Sequence, residues 1–412
     1  MSMLRIAFYI GVLSLVVARA GLAAPDELAR LNAQLETIPP SFFGMHIHRA
    51  ASTTPWPAVP VGEWRLWDAY VTWPYLEPKR GQFQFNILDK YVALAHEHNT
   101  GVLLPLALSP AWASARPLEK SVYQPGSAAE PNNIEDWRVF VRTVATRYKG
   151  QIDAYEIWNE PNLPQFCSAS VDQVVNLTRE ASRIIHQVDP HAVVVSPSAT
   201  ETKGVAWLAE FLRKGGGQYV DVIGYHLYVN PQPPEAMLPL IEQIRQTMVD
   251  QGQGAKPIWN TEVNWFSPKP FPSQELAAAY VARSYILNWA AGIQRVYWYA
   301  WDNQAVGVRT TEQDGRTLTP AGRAYGTVSQ WLIGAQMAGC SQNADHTFVC
   351  ELRRNESPSW IVWNPDGMRM FEVPQSWRID NFTPLLDSSH ALRGTTVSVG
   401  PTPALLQQSE NR

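Results

Sequence analysis

The chain has 412 residues, 45% of them hydrophobic and 17% charged. That is enough to bury a large core, and it suits one domain of about 250–300 residues with a smaller one beside it. A formal net charge of -4, with no block of like charges, argues against nucleic acid or another polyanion as partner.

At the N-terminus, Arg5 precedes an apolar run from Ile6 to Val17, and Gly21, Ala23 and Ala24 follow. The pattern predicts an export signal over residues 1–23, its apolar run well short of the about 20 residues that a membrane span needs. The expected product is a periplasmic or extracellular monomer without cofactor or metal and without stable membrane insertion after cleavage. Cysteine usage agrees with export. Cys340 and Cys350 flank a predicted turn, and in an oxidising compartment the two are expected to form a disulfide. Cys167 is read as a small buried residue.

Beyond the signal, short apolar runs alternate with amphipathic helical stretches. The predicted strands are Phe42–His48, Trp64–Asp68, Gly101–Leu108, Ile152–Asn159, Ala192–Pro197, Val220–Leu227, Pro257–Glu262 and Val296–Trp301. Helices are predicted over Ile87–His98, Ile134–Tyr148, Val171–Val188, Pro234–Met248 and Gln274–Ala291. In the first of them Leu88, Tyr91, Val92 and Ala95 recur at helical spacing. Eight strands with interleaved helices predict an α/β fold, a (β/α)8 barrel over residues 24–335. One unit is irregular: the first crossover is short and carries Pro55, Pro57 and Pro60. Residues 336–412 change texture, with β-rich runs at Thr347–Arg353, Trp360–Trp363, Met370–Val373 and Thr396–Val399. They predict a small antiparallel β-domain beside the barrel.

In such barrels the chemistry sits where the strands end. The fourth strand ends in Trp158-Asn159-Glu160-Pro161-Asn162, with Pro161 enforcing the stop, and the seventh ends in Thr261-Glu262. Strands four and seven face one another across an eight-stranded barrel, so two carboxylates can flank a bond held in the mouth. Glycoside hydrolysis uses that pairing, one acid to protonate the leaving oxygen and one carboxylate to attack or to activate water.

The two strand-end motifs resemble the signatures of clan A glycoside hydrolases, retaining (β/α)8 enzymes. Within the clan the layout over residues 40–335 is most similar to family 39. That family includes β-xylosidases, α-L-iduronidases and bacterial exopolysaccharide hydrolases, often with a β-sandwich domain attached. The resemblance implies Glu160 as acid/base, Glu262 as nucleophile and Asn159 on the sugar 2-hydroxyl. It also implies Arg65 beside the nucleophile, and His226 and Tyr228 at the end of strand six holding nucleophile and substrate. On these roles Glu160 should carry a raised pKa and Glu262 should stay ionised.

The chain holds 17 Trp residues. Aromatic faces stack on sugar rings, so Trp112, Trp265, Trp298 and Trp301 are candidate platforms at the substrate. Of His46 and His48, one is expected to reach the mouth and contact sugar; His48 is the candidate. The preferred reading is an endo-acting hydrolase of a bacterial or plant polysaccharide. Two other readings stay open. One is a non-catalytic carbohydrate-binding protein or a scaffold in polysaccharide export. The other is a metal-dependent barrel hydrolase using His46 and His48 with His226 and Asp302, although strand five supplies no ligand.

Overall fold

The computed structural model describes residues 34–269 and 271–409; the expected export signal lies outside the described residues. The chain opens with β1 (Gln34–Thr37) and enters the barrel through β2 (Phe43–Met45) and β3 (Glu63–Arg65). No helix joins β2 to β3. Then come α1 (Trp73–Leu76), α2 (Asn86–Glu97), β4 (Gly101–Leu106), α3 (Ile134–Arg147), β5 (Ala154–Ile157) and α4 (Val171–Val188). After them run β6 (Val193–Val195), β7 (Ala199–Thr200), α5 (Gly204–Arg213), β8 (Ile223–His226) and α6 (Met237–Asp250). The barrel finishes with β9 (Ile258–Val263), α7 (Gln274–Ala290), β10 (Ile293–Trp298) and α8 (Pro320–Leu332).

All these strands but β1 form one parallel sheet ordered β6-β5-β4-β3-β2-β10-β9-β8-β7. Its two ends, β6 and β7, are consecutive pieces of one chain segment interrupted at Ser196-Pro197-Ser198, because Pro197 has no N–H for the ladder. A parallel bridge between Val195 and Val222, with bonds from Asp221 N and Ser196 N across the seam, closes the sheet into a barrel. The eight predicted strands are thus all present. Helix starts follow local chemistry. Ser170 and Gln173 form a reciprocal capping box on α4, and Thr319 caps α8 ahead of Pro320.

The barrel interior is layered. Leu103, Ala154, Val195, Val222, Trp259 and Tyr297 form an apolar plug. At the N-terminal ends of the strands Glu63 pairs with Arg295 at 2.8 Å, and Arg295 lies 3.9 Å over the Trp259 ring. On the other side of the plug sits a polar layer that carries the site.

The C-terminal part is β11 (Gln336–Gln342), β12 (Phe348–Arg354), β13 (Ser357–Trp363), β14 (Arg369–Glu372), β15 (Asn381–Pro384), β16 (His390–Ala391), β17 (Thr396–Val399) and β18 (Ala404–Gln407). A seven-stranded sheet, β1-β11-β12-β13-β18-β15-β16, faces the β14-β17 pair. Strand alternation sorts the side chains. Trp360, Val362 and Leu406 meet Phe371, Val397 and Val399 inside this sandwich, whereas Ile361, Trp363 and Leu405 join the barrel core. Arg283 of α7 adds an ion pair to Glu235 and a bond to Pro401 O at 3.3 Å, and Trp363 Nε1 donates to Glu235 at 3.0 Å. β1 was not legible as a strand, and it places residues ahead of the barrel in the C-terminal sheet. Cys340 and Cys350 stand directly opposite one another on β11 and β12 and form the expected disulfide.

Candidate active site

The polar layer is built around Arg65, which ends β3 with no exposed surface. Its guanidinium makes three charge-assisted or polar bonds: Nε to Glu156 at 2.6 Å, Nη1 to Glu262 at 2.8 Å and Nη2 to Asn159 Oδ1 at 2.7 Å. A rigid fork with no other charge to satisfy thereby fixes three side chains at once. Tyr228 donates its hydroxyl to the other oxygen of Glu262 at 2.7 Å.

Glu160 lies past the end of β5, in a turn where Trp158 and Glu160 take φ of 70° and 45°. Left-handed backbone at non-glycine residues costs on the order of 1–3 kcal/mol each and persists only when the surroundings hold it. They do here. Glu160 N donates to Ser198 O at 3.0 Å, and the Asn162 amide brackets Thr200 with bonds of 2.9 and 3.1 Å. The strained turn aims the carboxyl at His226, whose Nδ1 lies 3.0 Å from Glu160 Oε1.

An oxygen of Glu160, an oxygen of Glu262 and a ring nitrogen of His226 lie within 4.8 Å of one another. The carboxyl groups of retaining glycosidases are about 5–5.5 Å apart and those of inverting ones about 6.5–9.5 Å. Burial raises the Glu160 carboxyl to about 7; Arg65 opposes the rise, and Glu201 and Asp68 add to it. Burial raises Glu262 as well, against the pull of Arg65 and the Tyr228 hydroxyl. His226 is pushed down to about 4, chiefly by burial, so it is neutral at pH 7.

Beside this pair opens a cavity of about 500 Å³ whose wall includes His48, Asp68, Tyr70, Tyr75, Tyr123 and Tyr299. Tyr299 and Tyr123 donate to the two oxygens of Asp68 at 2.6 and 2.7 Å. The Tyr299 ring packs 5.9 Å from Phe266, which packs 5.3 Å from Tyr228, the residue that donates to Glu262, so a run of aromatic rings connects the cavity wall to the carboxylates.

The structure therefore gathers Glu160, Glu262, Asn159, Arg65, His226 and Tyr228 in one cluster and puts His48 in the adjoining cavity. Trp112 lines a neighbouring groove. Trp298 and Trp301 are not platforms. Both are at most 1% exposed, and Trp298 points out of the barrel onto Trp265 and Tyr285, 6.2 and 6.5 Å away. Strand alternation along β10 sends Tyr297 and Tyr299 inward and Trp298 outward. Trp301 is committed to the Gly315 carbonyl at 3.1 Å, and Trp265 to that of Gln232 at 2.7 Å. Glu156 and Tyr299 escaped the sequence reading; continuing the inward alternation past the end of β10 would have found Tyr299.

The metal reading at His46 and His48 does not fit. His46 Nε2 is spent on Thr261 O at 3.1 Å, and Asp302 accepts the backbone N–H groups of His48 and Arg49 at 2.9 and 3.0 Å. Among the described residues the one cluster with metal-ligand spacing is Glu160, His226 and Glu262, and there Arg65 already supplies the positive charge.

The family described as "Glycosyl hydrolase catalytic core" matches residues 132–325, and "Beta-galactosidase" matches residues 65–121. A β-xylosidase of Geobacillus stearothermophilus is 26% identical over 225 residues, 48% of this chain and 44% of that protein. The chain thus spans less than half the length of that curated relative. A family 39 glycoside hydrolase from Bacteroides cellulosilyticus WH2 superposes with a TM-score of 0.73 at 16% identity, covering 91% of this chain and 82% of that one. A family 39 β-xylosidase from Caulobacter crescentus superposes with a TM-score of 0.62 at 16% identity, covering 92% and 98%. The fold is that of these family 39 glycoside hydrolases.

Proposed function

We propose that this chain is a retaining O-glycoside hydrolase that cleaves a polysaccharide or oligosaccharide by double displacement. The single observation that carries the reading is the separation of Glu160 and Glu262, whose oxygens approach within 4.8 Å at the C-terminal mouth of the barrel. That gap admits a sugar carbon for direct attack and is too small for an intervening water.

In the first step Glu262 attacks the anomeric carbon while the glycosidic oxygen leaves with the proton of Glu160. The resulting glycosyl ester removes the charge of Glu262, and Glu160, now ionised, takes a proton from the water that releases the sugar. Asn159 Oδ1 accepts from Arg65 Nη2, which leaves the Asn159 amide N–H donors for a sugar hydroxyl. Buried nitrogens of His46, His48 and His226 without partners among the described residues are further sites that sugar hydroxyls would satisfy. The β-xylosidase relatives favour an uncharged sugar.

Two substitutions test this. Glu160→Gln and Glu262→Gln should each abolish turnover of the natural glycoside, and proton NMR of the wild-type reaction should show the first-formed product with the substrate's anomeric configuration. An inverted product overturns the double displacement. Full activity in either variant overturns the assignment of these two carboxylates, whereas a wild type that binds glycan and cleaves none favours the carbohydrate-binding or export-scaffold reading. Export to the periplasm or beyond is part of the proposal and is checked by fractionating cells that express the full chain.

A further inference from the structure

Among the described residues the exposed large aromatic side chains are Tyr70 at 51%, Tyr75 at 38% and Phe266 at 40%. They are not scattered. Tyr70 and Tyr75 form part of the wall of the cavity beside the catalytic pair, and Phe266 packs against Tyr228 and Tyr299 at the same mouth. Exposed aromatic surface gathered in one place on a protein marks a binding site, since it gains nothing from folding alone.

A second depression of about 450 Å³ continues from the first, lined by Pro74, Tyr75, Gln84, Pro110, Trp112 and Gln124. Tyr75 belongs to both walls, so it forms the ridge between them. None of the side chains lining this second depression is charged. Its floor is rigid. Trp112 donates Nε1 to Glu77 O at 2.9 Å, meets Trp73 edge-on at 5.9 Å and has Arg80 held 5.1 Å over its ring.

A trough lined by aromatic rings, prolines and the side-chain amides of Gln84 and Gln124 fits a chain of sugar rings with apolar faces and uncharged hydroxyl edges. We propose that Tyr70, Tyr75 and Trp112 hold further units of an uncharged glycan chain whose scissile bond lies between Glu160 and Glu262. The inference rests on the glycosidase reading and extends it. The protein grips several consecutive sugars rather than one terminal residue, and binding strengthens with chain length.

The test uses the full-length Glu262→Gln protein and calorimetric titration with xylo-, cello- and manno-oligosaccharides of increasing length. In at least one series affinity should rise about tenfold or more from dimer to pentamer, the equivalent of about 1.4 kcal/mol. Tyr75→Ala and Trp112→Ala should each collapse that series onto the dimer value. Tyr75 is exposed, so its variant keeps the fold even if loss of Trp112 loosens the loop, and thermal melts check both. Affinity that is flat with length in every series, or a length increment that survives both substitutions, overturns the proposal. Wild-type turnover separates the two readings. Length-dependent binding without cleavage of any bound chain sinks the glycosidase and leaves the trough, whereas cleavage with flat affinity does the reverse.

Discussion

Arg65 reaches Glu156 through Nε at 2.6 Å, and both side chains have no exposed surface. The same guanidinium reaches Glu262, so the position of the proposed nucleophile depends on an ion pair formed deeper in the barrel. Arg65→Met strands two buried carboxylates. It should cost about 3–5 kcal/mol of stability, as breaking buried pairs does. It should also raise the pKa of Glu262 further, moving the acidic limb of kcat/KM to higher pH. Urea unfolding and a pH–rate profile measure the two effects, and an unmoved acidic limb would contradict the electrostatic role.

On the proposed mechanism the alkaline limb belongs to Glu160. Burial holds its proton to about 7, so kcat/KM should fall as pH rises through that value and the general acid ionises. The exposed carboxylate of Glu201 contributes to the raised value. Glu201→Gln should bring the limb down by about 0.3–0.5 pH units, the scale of a screened surface charge. The measurement is the pH dependence of kcat/KM for both proteins.

Stability should respond to the same group. Unfolded, this carboxyl titrates near the ordinary 4.5; folded, near 7. The native state therefore binds more protons between these values. The contribution is fully present below 4.5 and is lost as pH rises through 7. Glu160→Gln should flatten that part of the curve of unfolding free energy against pH.

His226 acts through Glu160, which it touches at 3.0 Å while itself neutral at pH 7. His226→Ala should lower kcat by about tenfold to a hundredfold, within the range for misplacing a general acid. His226→Asn, which can still donate to the carboxyl, should recover part of the loss. Equal kcat in the two variants would show that the ring merely fills space.

The Cys340–Cys350 disulfide closes a short hairpin in the sandwich, with a sequence separation of 10. Replacing both cysteines by Ser should cost about 2–3 kcal/mol on the loop-entropy argument. A reducing agent should lower the melting temperature of the wild type and leave the double variant unmoved.

Strand-end chemistry made much of the site legible. Glu160 and Glu262 stand where a strand pattern stops, one of them before a proline, and that position alone predicts a barrel mouth. Glu156 was hidden because it lies in mid-strand, where sequence gives no sign that an arginine waits opposite. Trp298 misled for a related reason. Aromatic content marks affinity for sugar, but the phase of the alternation decides which aromatic faces the mouth, and one register step separates Trp298 from Tyr299. β1 carried too few residues to be distinguished from a loop, and its partner is remote in sequence.

That remoteness bears on how the molecule is made. Among the described elements β1 leaves the ribosome first, yet its hydrogen-bonding partner β11 follows all eight barrel strands and α8. Until then this edge strand of the C-terminal sheet has no partner for its hydrogen-bonding groups. Pairing β1 with β11 is therefore a late, long-range step, one that joins stretches of chain separated by the whole barrel.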